Sequence, residues 1–378
     1  MRPAHWRRCR TPGTPVVVSI VVHQLDRSGG SRVLVRSANA LAVAGHSVTI
    51  VVPHGRWLET YRIEPRVRVV PAGVGLLRGG GPASTLLRTG LMWSSIPKAD
   101  VVVFSYFLCA VPVRVQYLLG VNRRILYFVQ ENEPLAFGTL ADRLSGLRRT
   151  IASWSLKPRY AFIANSRYVS AFLADEYGHT APVVSPGVDR SIFRPEPADD
   201  GHTGLSVGII GRRTRAKGWP MLLETLRCLA GLRNDVRFVV IAPERYPELG
   251  AFGERLIWVP PAGDRGFAQA LRAVTVFFSS SLVEGFGLPV LESMAVGTPV
   301  VATDSMGLRD FLKDGENGVL VPFGDATSAA RAISDLLDDG QRRAVYRKRG
   351  LEMAAEFSWE RFDRQLVTAV EAVGEMDD

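Results

Sequence analysis

The feature that most constrains this chain is a pattern it uses twice. Residues 16–22 are an apolar run interrupted only by Ser19, as expected of a strand buried on both faces of a parallel sheet. A polar loop carrying Gly29 and Gly30 follows, then a helical pattern over 31–44, a stop at Gly45 and a second strand over 47–52. From Leu205 the design repeats, with a strand over 205–210, a loop over 211–218 and a helix over 219–230. Each opening reads as a βαβ unit with glycines at the helix entrance. Further apolar runs at 100–106, 125–130 and 161–164 extend the first half, and those at 236–242, 256–259, 274–279 and 299–303 the second. The pattern predicts an α/β chain of two Rossmann-like, doubly wound domains facing a cleft, with ligands taken at the carboxyl ends of the strands.

Length and composition agree. The 378 residues suffice for two domains with cores of their own, and 47% apolar against 22% charged residues describes a globular chain. The longest apolar runs fall short of the roughly 20 residues that span a bilayer. The first 14 residues are basic and contain prolines, unlike a signal peptide. Cys9, Cys109 and Cys228 lack metal-ligand spacing, so a cytoplasmic, reducing compartment is expected. Charge is uneven: residues 1–190 carry 24 Lys and Arg against 10 Asp and Glu, whereas 191–378 carry 22 against 27. A basic half suits an anionic partner. A peripheral contact with the inner face of a membrane, through the Arg-bearing stretch 140–157, stands level with a plain solvated surface. No nucleic-acid motif accompanies the charge, and none is expected to bind.

Chemistry concentrates in Glu284-Gly-Phe-Gly-Leu-Pro-Val-Leu-Glu292, which sets two carboxylates eight residues apart around a glycine turn. Gly285 and Gly287 let main-chain N–H groups approach a ligand, and the helix they open favours negative charge at its start. Pro289 suits the first helical turn, and Gly297 ends the helix. Upstream, Gly211-Arg-Arg-Thr-Arg-Ala-Lys-Gly218 places cations between a strand and a helix. Hydroxyl acceptors beside an anion-attracting helix mouth suit a nucleotide sugar. Neither half contains G-x-G-x-x-G, which argues against a nicotinamide or flavin dehydrogenase.

The segment 284–303 resembles the E-x7-E signature of retaining glycosyltransferases with the GT-B fold, most closely family 4 (group 1). The resemblance implies that Glu284, Arg212 and Lys217 carry the transfer, the two cations holding the donor diphosphate and Glu284 the donor-sugar hydroxyls. Glu292 would accept from the ribose, main-chain groups of Gly285, Phe286, Gly287 and Leu288 would reach sugar or phosphate oxygens, and Val259 would mark the base site. Gly29 and Gly30 resemble the family's glycine-rich loop, Gly30 toward the diphosphate and Gly29 toward the acceptor. Asp26 offers a carboxylate to the acceptor, with a turn or capping role equally open. The segment 127–134 resembles that of some rhamnosyltransferase-like members. Gln130 stands where many members carry a histidine, which implies a deoxyhexose donor, and Gln130 and Glu131 would meet the acceptor. Ala164-Asn-Ser166 and Pro186-Gly-Val-Asp189 match further family positions. The implied domains are an acceptor domain over 1–192, a linker over 193–202, a nucleotide-sugar domain over 203–356, and a helix over 357–378 packing back on the first domain.

The expected function is therefore metal-independent and cofactor-free transfer of a sugar from a UDP-, GDP- or dTDP-sugar to a saccharide or lipid-linked acceptor, in cell-surface polysaccharide or glycolipid synthesis. With no evident general base, retention is expected, the leaving phosphate taking the acceptor proton. Glu131 or Glu133 as the base of an inverting reaction stays open. So do two other readings, a sugar-nucleotide epimerase on the same architecture and a silent nucleotide-sugar-binding module. The glycine-rich stretch 72–84 is the expected seat of acceptor specificity.

Overall fold

The computed structural model describes residues 14–53, 61–72, 89, 91–138, 145–158, 160–196 and 204–376. Residues 73–84 of the glycine-rich stretch, 140–144 of the basic stretch, 197–201 of the linker, and His5, His54 and His202 lie outside them. The chain forms two compact units: Met1–Pro134, Arg143–Ser185 and Glu360–Asp378 make the first, and Leu135–Asp142 and Pro186–Trp359 the second.

The first unit holds a sheet of β1 (Val17–Val21), β2 (Ser47–Pro53), β3 (Arg68–Ala72), β4 (Val101–Phe104), β5 (Ile125–Val129) and β6 (Ala161–Ala164). Their order is β3-β2-β1-β4-β5-β6, parallel throughout. The second unit repeats this arrangement with β7 (Ser206–Ile210), β8 (Arg237–Ile241), β9 (Leu256–Val259), β10 (Val276–Ser279), β11 (Val300–Thr303) and β12 (Val319–Val321), ordered β12-β11-β10-β7-β8-β9. Helices cover the sheets, so β4 and β5 are buried along their whole length and read as pure apolar runs. In each sheet the strand order reverses beside the first strand, between β1 and β4 and between β7 and β10. That reversal opens a crevice at the carboxyl ends, where ligands of such sheets sit.

Two strands escape a reading of hydropathy. β3 and β12 are edge strands of five and three residues, and β3 carries Pro71. An edge position tolerates proline because one side of the strand makes no ladder bonds. The first helix, Gly29–Val43, begins two residues before its apolar pattern, because the Ser28 side chain accepts from Ser31 N–H at 3.2 Å and caps it. Gly29 and Gly30 are consequently its first turn rather than loop.

The two passages of the chain between the units run side by side within the second. Val188 N–H donates to Phe357 O at 3.0 Å, and Val188 bridges Ser358. A Cβ on Gly187 would lie 2.3 Å from Ser358 C and Trp359 N, so only glycine lets these backbones meet. Residues 186–192, placed by composition with the first half, therefore pack with the second unit. The last helix, Trp359–Gly374, lies against the first sheet: Arg36 Nε donates to Asp363 Oδ1 at 2.9 Å, and Phe362 stacks near Phe128 with ring centroids 6.2 Å apart.

Gly187→Ala should cost about 3 kcal/mol, since neither backbone can yield. Gly231→Ala, inside a helix with nothing within 4 Å of the new Cβ, should add about 0.5–1 kcal/mol of stability. Urea midpoints at constant slope measure both.

Candidate functional site

At the switch point of the second unit, the loop from Gly211 to Gly218 joins β7 to the helix Trp219–Leu232 and is pinned to the exit of β10. Leu282 N–H donates to Ala216 O at 2.9 Å, and Ser280 Oγ donates to Lys217 O at 3.0 Å. Gly218 has φ 67°, and a Cβ there would stand 1.7 Å from Ser280 O, so the loop lies directly on the β10 exit. That contact delivers Lys217 Nζ to 3.0 Å from Glu284 Oε2, while Ser281 Oγ donates to Glu284 Oε1 at 2.7 Å. The pair is open to solvent in part, its side chains 27% and 16% exposed. Arg212 is exposed at the loop entrance. Arg213 turns away to Glu248 at 2.7 Å and lies over the Tyr246 ring.

The backbone of Glu284 is held as firmly as its side chain. Its N–H donates to Ser305 O at 3.1 Å, and its carbonyl accepts from Gly307 N–H at 3.2 Å. Gly307 N–H also donates to Ser305 O at 2.8 Å, closing a γ-turn around Met306 at φ 65°, ψ −61°. Met306 alone among described non-glycine residues has positive φ. This turn is rare and strained, and strain of that kind persists only where its surroundings enforce it. A Cβ on Gly307 would meet Glu284 O at 2.4 Å, which keeps position 307 glycine.

Beyond Glu284 the chain enters the helix Leu288–Val296, with Gly287 at its N-cap, Pro289 in its first turn and Gly297 at its C-cap, as the sequence predicts. Glu292 is buried one turn inside, 2% exposed. The Phe286 ring joins Phe311 and Phe357, centroids 5.2 and 5.6 Å away, so any contact of Phe286 with a ligand falls to its main chain. Gly285 and Leu288 are buried beside it. Val259 ends the edge strand β9, outermost from β10, and its carbonyl is already taken by Ala242 N–H at 3.2 Å. Lys217 and Glu284 are thus brought together, and Val259 stands away from them.

The switch point of the first unit gathers another set. The helix Gly29–Val43 opens there, and a Cβ on Gly30 would lie 3.6 Å from Gln130 Oε1. Gln130 Nε2 donates to Ser105 Oγ at 2.7 Å, and its carbonyl accepts from Asn165 Nδ2 at 2.6 Å, which gives the Ala164-Asn-Ser166 motif a structural task. His23 and Tyr106 stack with ring centroids 3.9 Å apart. Asp26 is spent inside its own loop: it accepts from Ser28 N–H at 2.9 Å, Ser31 Oγ at 2.8 Å and Gln24 Nε2 at 2.7 Å. Burial by itself would raise its carboxyl, but the bonds from Ser28 and Ser31 and the nearby His23 outweigh this and hold it below the usual range. Of the two roles open for Asp26 in the sequence, these bonds are those of the turn.

Glu131 is partly exposed, whereas Glu133 is buried and accepts from Phe107 N–H at 3.2 Å and Tyr127 OH at 3.3 Å. Burial first, then the charge of Glu131, pushes the Glu133 carboxyl well above the carboxylate range, and the two donors only partly offset them. Glu133 is thus buried and engaged with Phe107 and Tyr127, whereas Glu131 reaches the surface. The sequence reading missed Ser281, the turn at 305–307 and the His23–Tyr106 stack. A glycine just past the end of β11 was the one available signal for the turn. Among the described residues no group of three or more His, Cys, Asp or Glu is placed to hold a metal ion.

Comparison with known proteins bears on both halves. The family model described as Glycosyltransferase Family 4 matches residues 27–192, and that described as Glycosyl transferases group 1 matches residues 204–339. The chain is 32% identical over 219 residues to a phosphatidyl-myo-inositol mannosyltransferase of Mycolicibacterium smegmatis, covering 56% of this chain and 57% of that protein. It is 34% identical over 214 residues to a D-inositol 3-phosphate glycosyltransferase of Acidothermus cellulolyticus, covering 50% and 48%. These matches span about half of each relative's length. Among solved structures it resembles sucrose-phosphate synthase of Thermosynechococcus elongatus, with a TM-score of 0.78 at 21% identity over 93% of this chain and 97% of that one. It also resembles Anabaena HepE in complex with UDP-glucose, with a TM-score of 0.74 at 16% identity over 94% and 99%. At such identities the structural likeness speaks to the fold alone.

Because Glu133 carries a raised value when folded, the folded chain holds a proton that the unfolded chain releases, and its contribution to stability falls as pH rises above about 4.3. Glu133→Gln keeps an acceptor for Phe107 and Tyr127 and removes that penalty. The variant should match the parent near pH 4 and exceed it by about 1 kcal/mol or more near pH 8, read from urea midpoints at both values.

Proposed function

Because the chain belongs to the GT-B glycosyltransferases of family 4 and group 1, we propose that it moves a sugar from a nucleoside-diphosphate donor to a saccharide or lipid-linked acceptor, with retention and without a divalent metal. The observation that carries this reading is the Lys217–Glu284 pair at the switch point, 3.0 Å apart and partly open to solvent. A pyrophosphate competes with Glu284 for the ammonium. Once it takes Lys217, the Glu284 carboxylate is free to accept from sugar hydroxyls, with Ser281 keeping it aimed. As the bond from the anomeric carbon to phosphate breaks, charge grows on the leaving diphosphate. Lys217, Arg212 and the N-terminus of the helix Leu288–Val296 stabilise it more in the transition state than in the ground state. The acceptor oxygen bonds the anomeric carbon on the face the diphosphate leaves, and its proton passes to the departing phosphate oxygen. With Glu133 buried and engaged by Phe107 and Tyr127, this route asks least of the side chains present.

Glu292 and Val259 are assigned to the ribose and base, and Gly29, Gly30, Gln130 and Glu131 to the acceptor side. Gln130, standing where many members carry a histidine, supports a deoxyhexose donor. The two named relatives take inositol lipids or inositol phosphate, which supports an acceptor hydroxyl on an anionic polyol in glycolipid or cell-surface polysaccharide synthesis. We place the protein in the cytoplasm, in peripheral contact with the membrane. Among the described residues no helix is long and apolar enough to cross one.

Incubation with UDP-, GDP- and dTDP-sugars, read as released nucleoside diphosphate, tests the proposal. Lys217→Ala and Glu284→Ala should each lower release about 10²–10³-fold, by analogy with the loss of one transition-state donor. Ser281→Ala should lower it only about tenfold, the worth of one hydrogen bond to a charged group. EDTA should leave the rate unchanged, and NMR of the product should show the donor's anomeric configuration. Epimerised sugar with an intact diphosphate, or binding without turnover, would overturn the proposal.

A further inference from the structure

Asp304 is the first residue after β11, and its N–H donates to Val321 O at 2.9 Å, which ties the exit of β11 to the sheet edge. Its carboxylate takes both prongs of one guanidinium: Arg309 Nε donates to Oδ1 at 2.8 Å and Nη2 to Oδ2 at 2.5 Å. The carbonyl of Arg309 accepts in turn from Lys313 Nζ at 2.7 Å. The bonds and charge of Arg309, with the Met306 N–H, outweigh burial and hold the Asp304 carboxyl below its usual range. The loop that this pair closes contains Met306, the one described non-glycine residue with positive φ. Two contacts press the loop onto the proposed donor site. A Cβ on Gly307 would lie 2.4 Å from both Glu284 O and Gly285 O, and one on Gly287 would lie 2.1 Å from Leu308 Cδ2. Residues 307 and 308 are therefore the wall on which the turn from Glu284 to Gly287 rests.

We propose that the Asp304–Arg309 pair is a clamp that positions Glu284: it holds the Met306 turn closed, and through that turn keeps the Glu284 main chain and the helix start at Gly287 in place for the sugar. This rests on the reading above of Glu284 as the ligand of the donor-sugar hydroxyls, and it gives a task to two residues outside that set. A methionine at φ 65°, ψ −61° relaxes to an unstrained conformation unless its surroundings hold it. The bond from Gly307 N–H to Ser305 O spans the turn without fixing its flanks. Asp304 and Arg309 are those flanks, one on each side. Global stability is not what the pair serves, because Arg309 is 63% exposed and an ion pair in solvent contributes little to it. Its effect is local, since Ser305, Gly307 and Leu308 inside the loop are buried and bear on the chain at Glu284, Gly285 and Gly287.

The test uses the full chain and two readings. In Asp304→Ala, amide hydrogen exchange followed by mass spectrometry should quicken at least about tenfold in peptides spanning 282–292 and 304–309, while the rest of the second unit and the urea midpoint stay as in the parent. Release of nucleoside diphosphate should fall about 10–10²-fold, as for a group misplaced by about 1 Å. Arg309→Ala, which removes only an exposed side chain, should act in the same direction on both. Met306→Gly removes the strain that the clamp opposes, so Asp304→Ala/Met306→Gly should return both readings to within about threefold of the parent. Asp235→Ala breaks a like two-pronged pair with Arg233 at the amino end of the second sheet and should change neither. Unchanged exchange in Asp304→Ala, or a loss that Met306→Gly fails to restore, overturns the clamp. Quickened exchange with undiminished release overturns its part in the transfer. A parent that releases nothing sinks the transfer reading instead, and exchange then decides the clamp by itself.

Discussion

The candidate site depends on one close approach of two backbones. Gly218 lies against Ser280 with no room for a methyl group, and the loop it closes is stapled to the β10 exit by Ala216 and Lys217 carbonyls. A shift of this loop would carry Lys217 away from Glu284, since a lysine reaches its partner only from a fixed root. The second anchor is the strained turn at Met306, which grips the Glu284 main chain from the opposite side. Strain of about 1–3 kcal/mol is tolerated there because several backbone bonds converge on one residue. Positioning by backbone rather than by mobile side chains lets a charge pair wait, preformed, for a ligand that replaces one of its members.

The same doubly wound order serves two kinds of crevice. In the second unit the switch point presents a cation, a carboxylate and a helix start, which together suit pyrophosphate and hydroxyls. In the first it presents an amide, a stacked His23–Tyr106 pair and a helix start capped by Ser28. Identical topology therefore decides where a ligand sits, and the loop residues decide what it is.

Much of this was legible in the residues themselves. The helix Leu288–Val296 announced both ends, because Pro289 and Gly297 are local signals that act through their own backbone preferences. Central strands were legible because burial on both faces makes them uniformly apolar. Edge strands β3 and β12 were not, since β3 is largely exposed and broken by Pro71 and β12 is only three residues long. Asp26 and Glu133 show the other limit. A carboxylate reads the same in a sequence whether it faces a ligand, folds into its own loop or is buried, and only the neighbours that surround it distinguish these fates.

By itself the sequence determined the two βαβ-opening halves, the glycines at their helix entrances and the spacing of Arg212, Lys217, Glu284 and Glu292, because these are local properties of period, turn and motif. Tertiary structure decided what lies far apart in the chain yet touches. It paired Lys217 with Glu284 and drew 186–192 into the second unit through Gly187 and Ser358. Such contacts arise from the order in which strands assemble, and no segment of the chain encodes that order alone.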